Sequence, residues 1–209
     1  MASAIIHIAV ANEVNKKLKR DSSKLLIGSI APDLSKLVGQ NKIASHFLDN
    51  ETDIPNIDLF LNKYKNYLDD DFVLGYYIHL YTDYLWFKYF VTEIINNDYI
   101  TKKDGTIVKL NGNMKCLYIY NDYTNLNIQL IDKYNLNLKI FYNEIPTLEY
   151  IIEEIPMEKL NLLINQAGVI IENSKENKNF IFDIKNVSKF IETSTKLILA
   201  EIEKINSNN

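Results

Sequence analysis

The sequence predicts an all-α fold: a single-domain helical bundle over residues 1–205, followed by a short frayed tail at 206–209. Three observations lead there. Apolar residues recur at three- and four-residue spacing over most of the chain, as in helices that bury one face. Strand-like character is confined to a short stretch, Ile107 to Leu110. The 209 residues hold only six Gly and four Pro and are 47% hydrophobic, which rules out a linker-like or disordered chain.

The elements follow in order. Ser3 caps a first amphipathic helix over 3–20, with His7, Val10, Val14 and Leu18 on one face. Lys16, Lys17, Lys19 and Arg20 close it, where the helix dipole favours cations. Asp21 and Ser22 begin a short helix through Leu25 and Ile30, which Pro32 stops. The segment 33–55 is irregular, with a helical turn near Ile43 to Leu48. A helix over 56–68 carries Ile57, Phe60, Leu61, Tyr64 and Leu68, and Asp69 to Asp71 cap the next. That next helix, about 70–97, is the most hydrophobic. Phe72, Tyr76, His79, Asp83, Trp86 and Phe90 form one stripe on it, and it belongs at the bundle's centre. DGTIVKLNG marks a loop or small hairpin near 98–112. Helices over 113–134, 147–154, 157–173 and 183–205 complete the chain, the last with Ile184, Val187, Phe190, Ile191, Leu197, Ile198 and Ile202.

Composition narrows the chemistry. A net charge of −4 gives no footprint for duplex nucleic acid. No run of 18 apolar residues exists, so no membrane span is expected. The N-terminal apolar stretch has no basic residues before it, which argues against a signal peptide and for a cytoplasmic location. Cys116 is the only Cys and reads as buried, so disulfide frameworks and Cys-based zinc ribbons are excluded. Any transition metal must rely on His7, His46, His79 and carboxylates.

In GYYIHLYTDYLW, residues 75–86, His79 and Asp83 stand four apart on one helix face, offering a nitrogen and an oxygen ligand from a rigid element. Alone, the pair reads rather as a core His–Asp hydrogen bond than as a ligand pair. GSIAPDLSK (28–36) places Asp33 after Pro32, and KIASHF (42–47) places His46 beside a Phe. Each alone is an ordinary turn Asp or packed His. Together, His7, Asp33, His46, His79 and Asp83 supply three imidazoles and two carboxylates, a set that suits zinc and also manganese or iron. Such pairs of ions hydrolyse phosphate esters.

This order of motifs, IIHIAVAN, GSIAPD, ASHF and GYYIHLYTDYLW, resembles the zinc-dependent phospholipase C family and the related single-strand-specific zinc nucleases, over about residues 1–95. The resemblance implies that Asp33, His46, His79 and Asp83 ligate one zinc, and that Asp83 bridges to a second ion held by His7. It also implies that Asp33 is the general base, and hence the catalytic residue. Secreted members use an N-terminal Trp as a ligand; here Met1 and Ala2 stand instead, and loss of Met1 would leave the Ala2 amine near that position. The family's third zinc needs two further His, and this chain has none after His79. It is identified as a divergent cytoplasmic member lacking that site. YNDYTNLN, residues 120–127, reads either as a substitute, with Asp122 and Asn125 near one face with Tyr118, or as a solvated polar face. Tyr76 is an auxiliary candidate. Glu153, Glu154 and Glu158 read as a solvated face, and Gly28, Gly39 and Gly75 form no phosphate loop.

The expected activity is hydrolysis of a phosphodiester or phosphomonoester using one or two ions. The substrate would be a small phosphate ester or a phospholipid headgroup. Two alternatives stand beside it: a His/Asp phosphohydrolase acting on nucleotides with Mn or Fe, and a non-catalytic helical binding protein with a structural metal site.

Overall fold

The computed structural model describes residues 2–50, 54–96, 99–110, 114–141, 144–172 and 181–207. The fold is all-α with one small sheet. Helix α1 (Ala4–Leu18) starts where the Ser3 hydroxyl accepts the Ile6 N–H, and ends at Lys19 in a left-handed conformation. Asp21 caps α2 (Ser22–Gly28) by accepting from Ser23 and Lys24. Pro32 sits inside a 3₁₀ turn, Ala31–Asp33, where its missing N–H costs nothing. Two single-turn helices follow, α3 (Leu34–Leu37) and α4 (Lys42–Ser45). Helix α5 (Ile57–Tyr64) runs into a 3₁₀ turn, and Asp70 caps α6 (Asp71–Leu85).

Helix α6 is the centre of the bundle. Twelve of its fifteen residues are buried, as its all-round apolar sequence requires. It packs most closely on α2, because Gly28 and Gly75 let the two backbones touch. A Cβ added at Gly28 would stand 2.1 Å from the Phe72 carbonyl oxygen, and one at Gly75 2.1 Å from that of Leu25. After α6 the helix widens into a π turn, Trp86–Phe90, then resumes as α7 (Val91–Ile94). Trp86 is fully buried among Phe90, Phe182 and Phe190.

Where a loop or small hairpin is expected at 98–112, an antiparallel three-stranded sheet forms, and its first strand takes the end of the helix expected to reach 97: β1 (Ile95–Asn96), β2 (Tyr99–Thr101) and β3 (Ile107–Lys109), in that spatial order. Gly105 turns between β2 and β3 at φ 83°, a conformation glycine adopts without strain. Helices α8 (Met114–Tyr134), α9 (Leu160–Glu172) and α10 (Ile184–Ser207) close the bundle around α1 and α6. The side chains of Cys116 and Tyr118 lie outside the described residues.

Two expectations are corrected. Residues 147–154 form no helix. Pro146 and Pro156 bound the segment, and its partners are on α5. Lys63 pairs with Glu153 and Glu154 at 2.8 and 2.7 Å, Tyr64 donates to Glu154 at 2.7 Å, and the Glu153 N–H donates back to the Tyr64 hydroxyl. Glu153 and Glu154 therefore anchor an extended strap and are not merely a solvated face. The second correction is at the C-terminal end. Helix α10 continues through Asn206 and Ser207, whose hydroxyl donates to the Glu203 carbonyl, while Asn208 and Asn209 lie outside the described residues.

Candidate metal centre

Four elements deliver the five residues. His7 projects from α1, Asp33 ends the 3₁₀ turn, His46 follows α4, and His79 with Asp83 lies on α6. His46 is held by an unusual corner. The next residue, Phe47, has φ 52°, a left-handed conformation costing a non-glycine residue about 1 kcal/mol. The corner is kept by burying the Phe47 ring against Phe60, Tyr64 and Tyr76. The Tyr76 hydroxyl, predicted as auxiliary, donates to the Ser45 carbonyl and so braces the residue before His46.

The ligand atoms converge. His79 Nε2 lies 3.3 Å from His46 Nε2, and Asp83 Oδ2 lies 3.8 Å from the former and 3.9 Å from the latter. Asp33 Oδ1 is 3.7 Å from His46 Nε2. The other oxygen of Asp83, Oδ1, faces His7 Nε2 at 3.4 Å and accepts the Ala2 backbone N–H at 2.8 Å. The His7 and His79 rings stack at 3.7 Å. Four ligands about 2.0–2.1 Å from one tetrahedral ion stand about 3.3 Å from each other, so the spacing is close to that of a metal shell. Two overlapping groups result: Asp33, His46 and His79, and His7, His79 and Asp83.

Hydrogen bonding strengthens this assignment. His7, His79 and Asp83 are 0%, 0% and 1% exposed. Yet both ring nitrogens of His7, Oδ1 of Asp33 and Oδ2 of Asp83 have no hydrogen-bond partner among the described residues. Buried polar atoms left so cost about 1–3 kcal/mol each. A cation held by the cluster would satisfy the carboxylate oxygens and one nitrogen of His7, and imidazole with carboxylate is a suitable donor set.

The electrostatics also keep the donors bare. Burial, then the neighbouring His7, holds His79 at about 3, so its ring is neutral. Burial pushes Asp33 up, but the imidazoles around it, His46 first, outweigh this and leave it at about 2. Asp83 is likewise held well below the usual carboxylate range, chiefly by His7 against the effect of burial.

One side of the cluster opens. Asp33, with 18% of its side chain exposed, lines a cleft of about 530 Å³ between α1, α3, α8 and α9. Among the described residues Lys36 is the cation on its wall; Asn127 and Gln166 add amides, and Leu37, Leu163, Ala167 and Ile171 an apolar side.

Of the two α8 candidates, Asp122 belongs to neither His/Asp group. Asp122 Oδ2 accepts the Ile181 and Phe182 N–H groups at 3.2 and 2.6 Å, tying down the entry to α10. Asn125 is fully buried, with neither side-chain atom hydrogen-bonded among the described residues. Sequence reasoning missed Ser29, whose carbonyl meets His79 Nδ1 at 2.8 Å, and the hydroxyls of Ser35 and Ser45 behind His46. Nothing in their residue types distinguishes them from ordinary core serines. The Ala2 N–H contact is present, while Met1, on which a free amine depends, lies outside the described residues.

Fold and site together define an all-α protein with a buried His/Asp cluster able to hold a metal ion. Comparison with known protein families, curated proteins and solved structures gives no match. No described helix is long and apolar enough to cross a membrane.

Proposed function

We propose that the protein is a metal-dependent phosphoesterase, using zinc, at one or two ions, to hydrolyse a phosphodiester or phosphomonoester. The supporting observation is the convergence of buried His and Asp atoms, several of them without a hydrogen-bond partner among the described residues, beside a cleft that Asp33 lines. The motif resemblance to zinc-dependent phospholipases C points the same way. Asp33, His46, His79 and Asp83 would hold one ion, with Asp83 reaching through its second oxygen to another beside His7. Zinc, when bound, acts as a Lewis acid toward water and phosphoryl oxygens.

The chain's own residues supply the rest. Asp33 is the carboxylate that borders both the cluster and the cleft, and it stays ionised, so it can accept or orient the proton of an attacking water. Lys36 stands one helical turn further on, where its ammonium can meet an anionic ester. The apolar wall from α9 accommodates the organic group. The lining favours a small phosphate ester or lipid headgroup over a polynucleotide, in keeping with the net charge of −4.

The test is metal quantification on protein purified without added metal, joined to a panel of phosphodiesters and phosphomonoesters. Zinc and turnover that both disappear in His79→Ala and Asp83→Ala are expected. Metal lost from these variants with no ester ever turned over by the wild type would leave a structural metal centre and end the enzyme reading. Two irons or manganese ions with nucleotide turnover would instead favour a His/Asp phosphohydrolase.

A further inference from the structure

His46 and His79 face each other but are backed by different chemistry. His79 Nδ1 meets the Ser29 carbonyl oxygen at 2.8 Å. A carbonyl only accepts, so the neutral His79 ring carries its proton on Nδ1 and presents a bare lone pair at Nε2. His46 Nδ1 instead meets the Ser45 hydroxyl at 2.9 Å, which lies 2.8 Å from the Ser35 hydroxyl. Ser35 Oγ is 3.2 Å from the Pro32 carbonyl oxygen, and Ser45 Oγ 3.3 Å from that of Lys42. Hydroxyls both donate and accept, so this chain can run in either direction. All three side chains are at most 2% exposed, so bulk water does not substitute for it.

The 3.3 Å between the two Nε2 atoms makes the direction matter. If both nitrogens are bare, two lone pairs confront each other in a buried space, with Asp33 and Asp83 oxygens also nearby at 3.7 and 3.9 Å. A proton on His46 Nε2 relieves that conflict without metal. A metal ion relieves it only if the same nitrogen is bare.

We propose that His46 changes tautomer when the metal binds, and that the Ser45–Ser35 pair is the reversible partner that stabilises both forms. Without metal, Ser35 donates to Ser45, Ser45 donates to His46 Nδ1, and His46 Nε2–H donates to His79 Nε2. With metal, His46 Nδ1–H donates to Ser45, Ser45 to Ser35, and Ser35 to the Pro32 carbonyl. One proton leaves Nε2 for water and one reaches Nδ1 from water, so the ring's proton count is the same before and after. Because the chain ends on a carbonyl, it reorients but conducts no proton. This inference rests on the metal-centre reading and not on ester hydrolysis.

Nitrogen-15 imidazole spectra of metal-free and zinc-loaded protein at about pH 8 test it directly. The expected result is Nδ1–H for His79 in both, with His46 moving from Nε2–H to Nδ1–H on loading. Ser45→Ala should lower zinc affinity about 10- to 100-fold, and Ser45→Thr, which keeps the hydroxyl, should restore it. Ser35→Ala should cost less than tenfold, since the Lys42 carbonyl can still accept from Ser45. The same His46 tautomer in both states, or a doubly protonated ring without metal, overturns the proposal. So does a Ser45→Ala affinity within roughly threefold of wild type. If Ser45→Ala does not fold, the wild-type spectra decide. Absence of phosphoesterase turnover would leave those spectra unaffected.

Discussion

Single titrating side chains already dictate how the metal-free protein responds to acid. His79 is held at about 3 against an ordinary value of 6.5. Above pH 6.5 both folded and unfolded chains leave it neutral. Below that, the unfolded chain takes up a proton that the folded one refuses, so stability falls as pH falls, until about 3. Asp33 has the matching sign: its folded value of about 2 against 3.8 gives stability above 3.8 that is lost toward 2. Between pH 6.5 and 5 the His79 effect is about 2 kcal/mol. Denaturant titrations of metal-free wild type should therefore show that loss, and His79→Gln should remove most of it; an equal slope in both would refute the assignment. The residues themselves were legible. The three His stand out because the chain has no others, Asp83 by its four-residue spacing from His79, and Asp33 through the motif resemblance. Their supports were not legible, since Ser29, Ser35 and Ser45 act through a carbonyl and through hydroxyls whose duty appears only when distant elements meet.

At the scale of elements, the α2–α6 contact governs the site. Gly28 and Gly75 allow backbone contact, and the first residue beyond α2, Ser29, offers its carbonyl to His79. Gly75→Ala would put a methyl group 2.1 Å from the Leu25 carbonyl oxygen. Backbone must move, at about 3 kcal/mol, and the Ser29 carbonyl would be displaced from the ring. A loss of that size with weakened metal binding is expected; less than 1 kcal/mol would show that the helices slide apart freely. Helical periodicity reveals nearly every long element, because most bury one face and α6 is apolar all round. It failed at 147–154, where the sequence is amphipathic enough for a helix. There the deciding forces are the long-range ties from Lys63 and Tyr64 to Glu153 and Glu154, closed between two prolines. Those same glycines were visible in the sequence, but only as the absence of a phosphate loop.

For the whole molecule, the bundle joins residues 76 positions apart, from His7 to Asp83, and stacks α1 on α6 at the cluster. Without an ion, the fold keeps imidazole and carboxylate atoms buried with no hydrogen-bond partner among the described residues. It therefore bears a local cost that a bound metal would remove, and folding and metal loading would then be coupled. An ion at 100 times its Kd adds about 2.7 kcal/mol to the stability of the folded state. For a chain of this length that is a Tm rise of about 5–11 °C. Thermal melts should show it when zinc is added to chelator-stripped protein, and reverse it with chelator. Asp83→Ala, which removes the carboxylate facing both halves of the cluster, should melt at one temperature with or without zinc. A wild-type Tm indifferent to zinc, manganese and iron alike would mean that the unpartnered atoms hold no ion, and both the metal centre and the phosphoesterase built on it would fall.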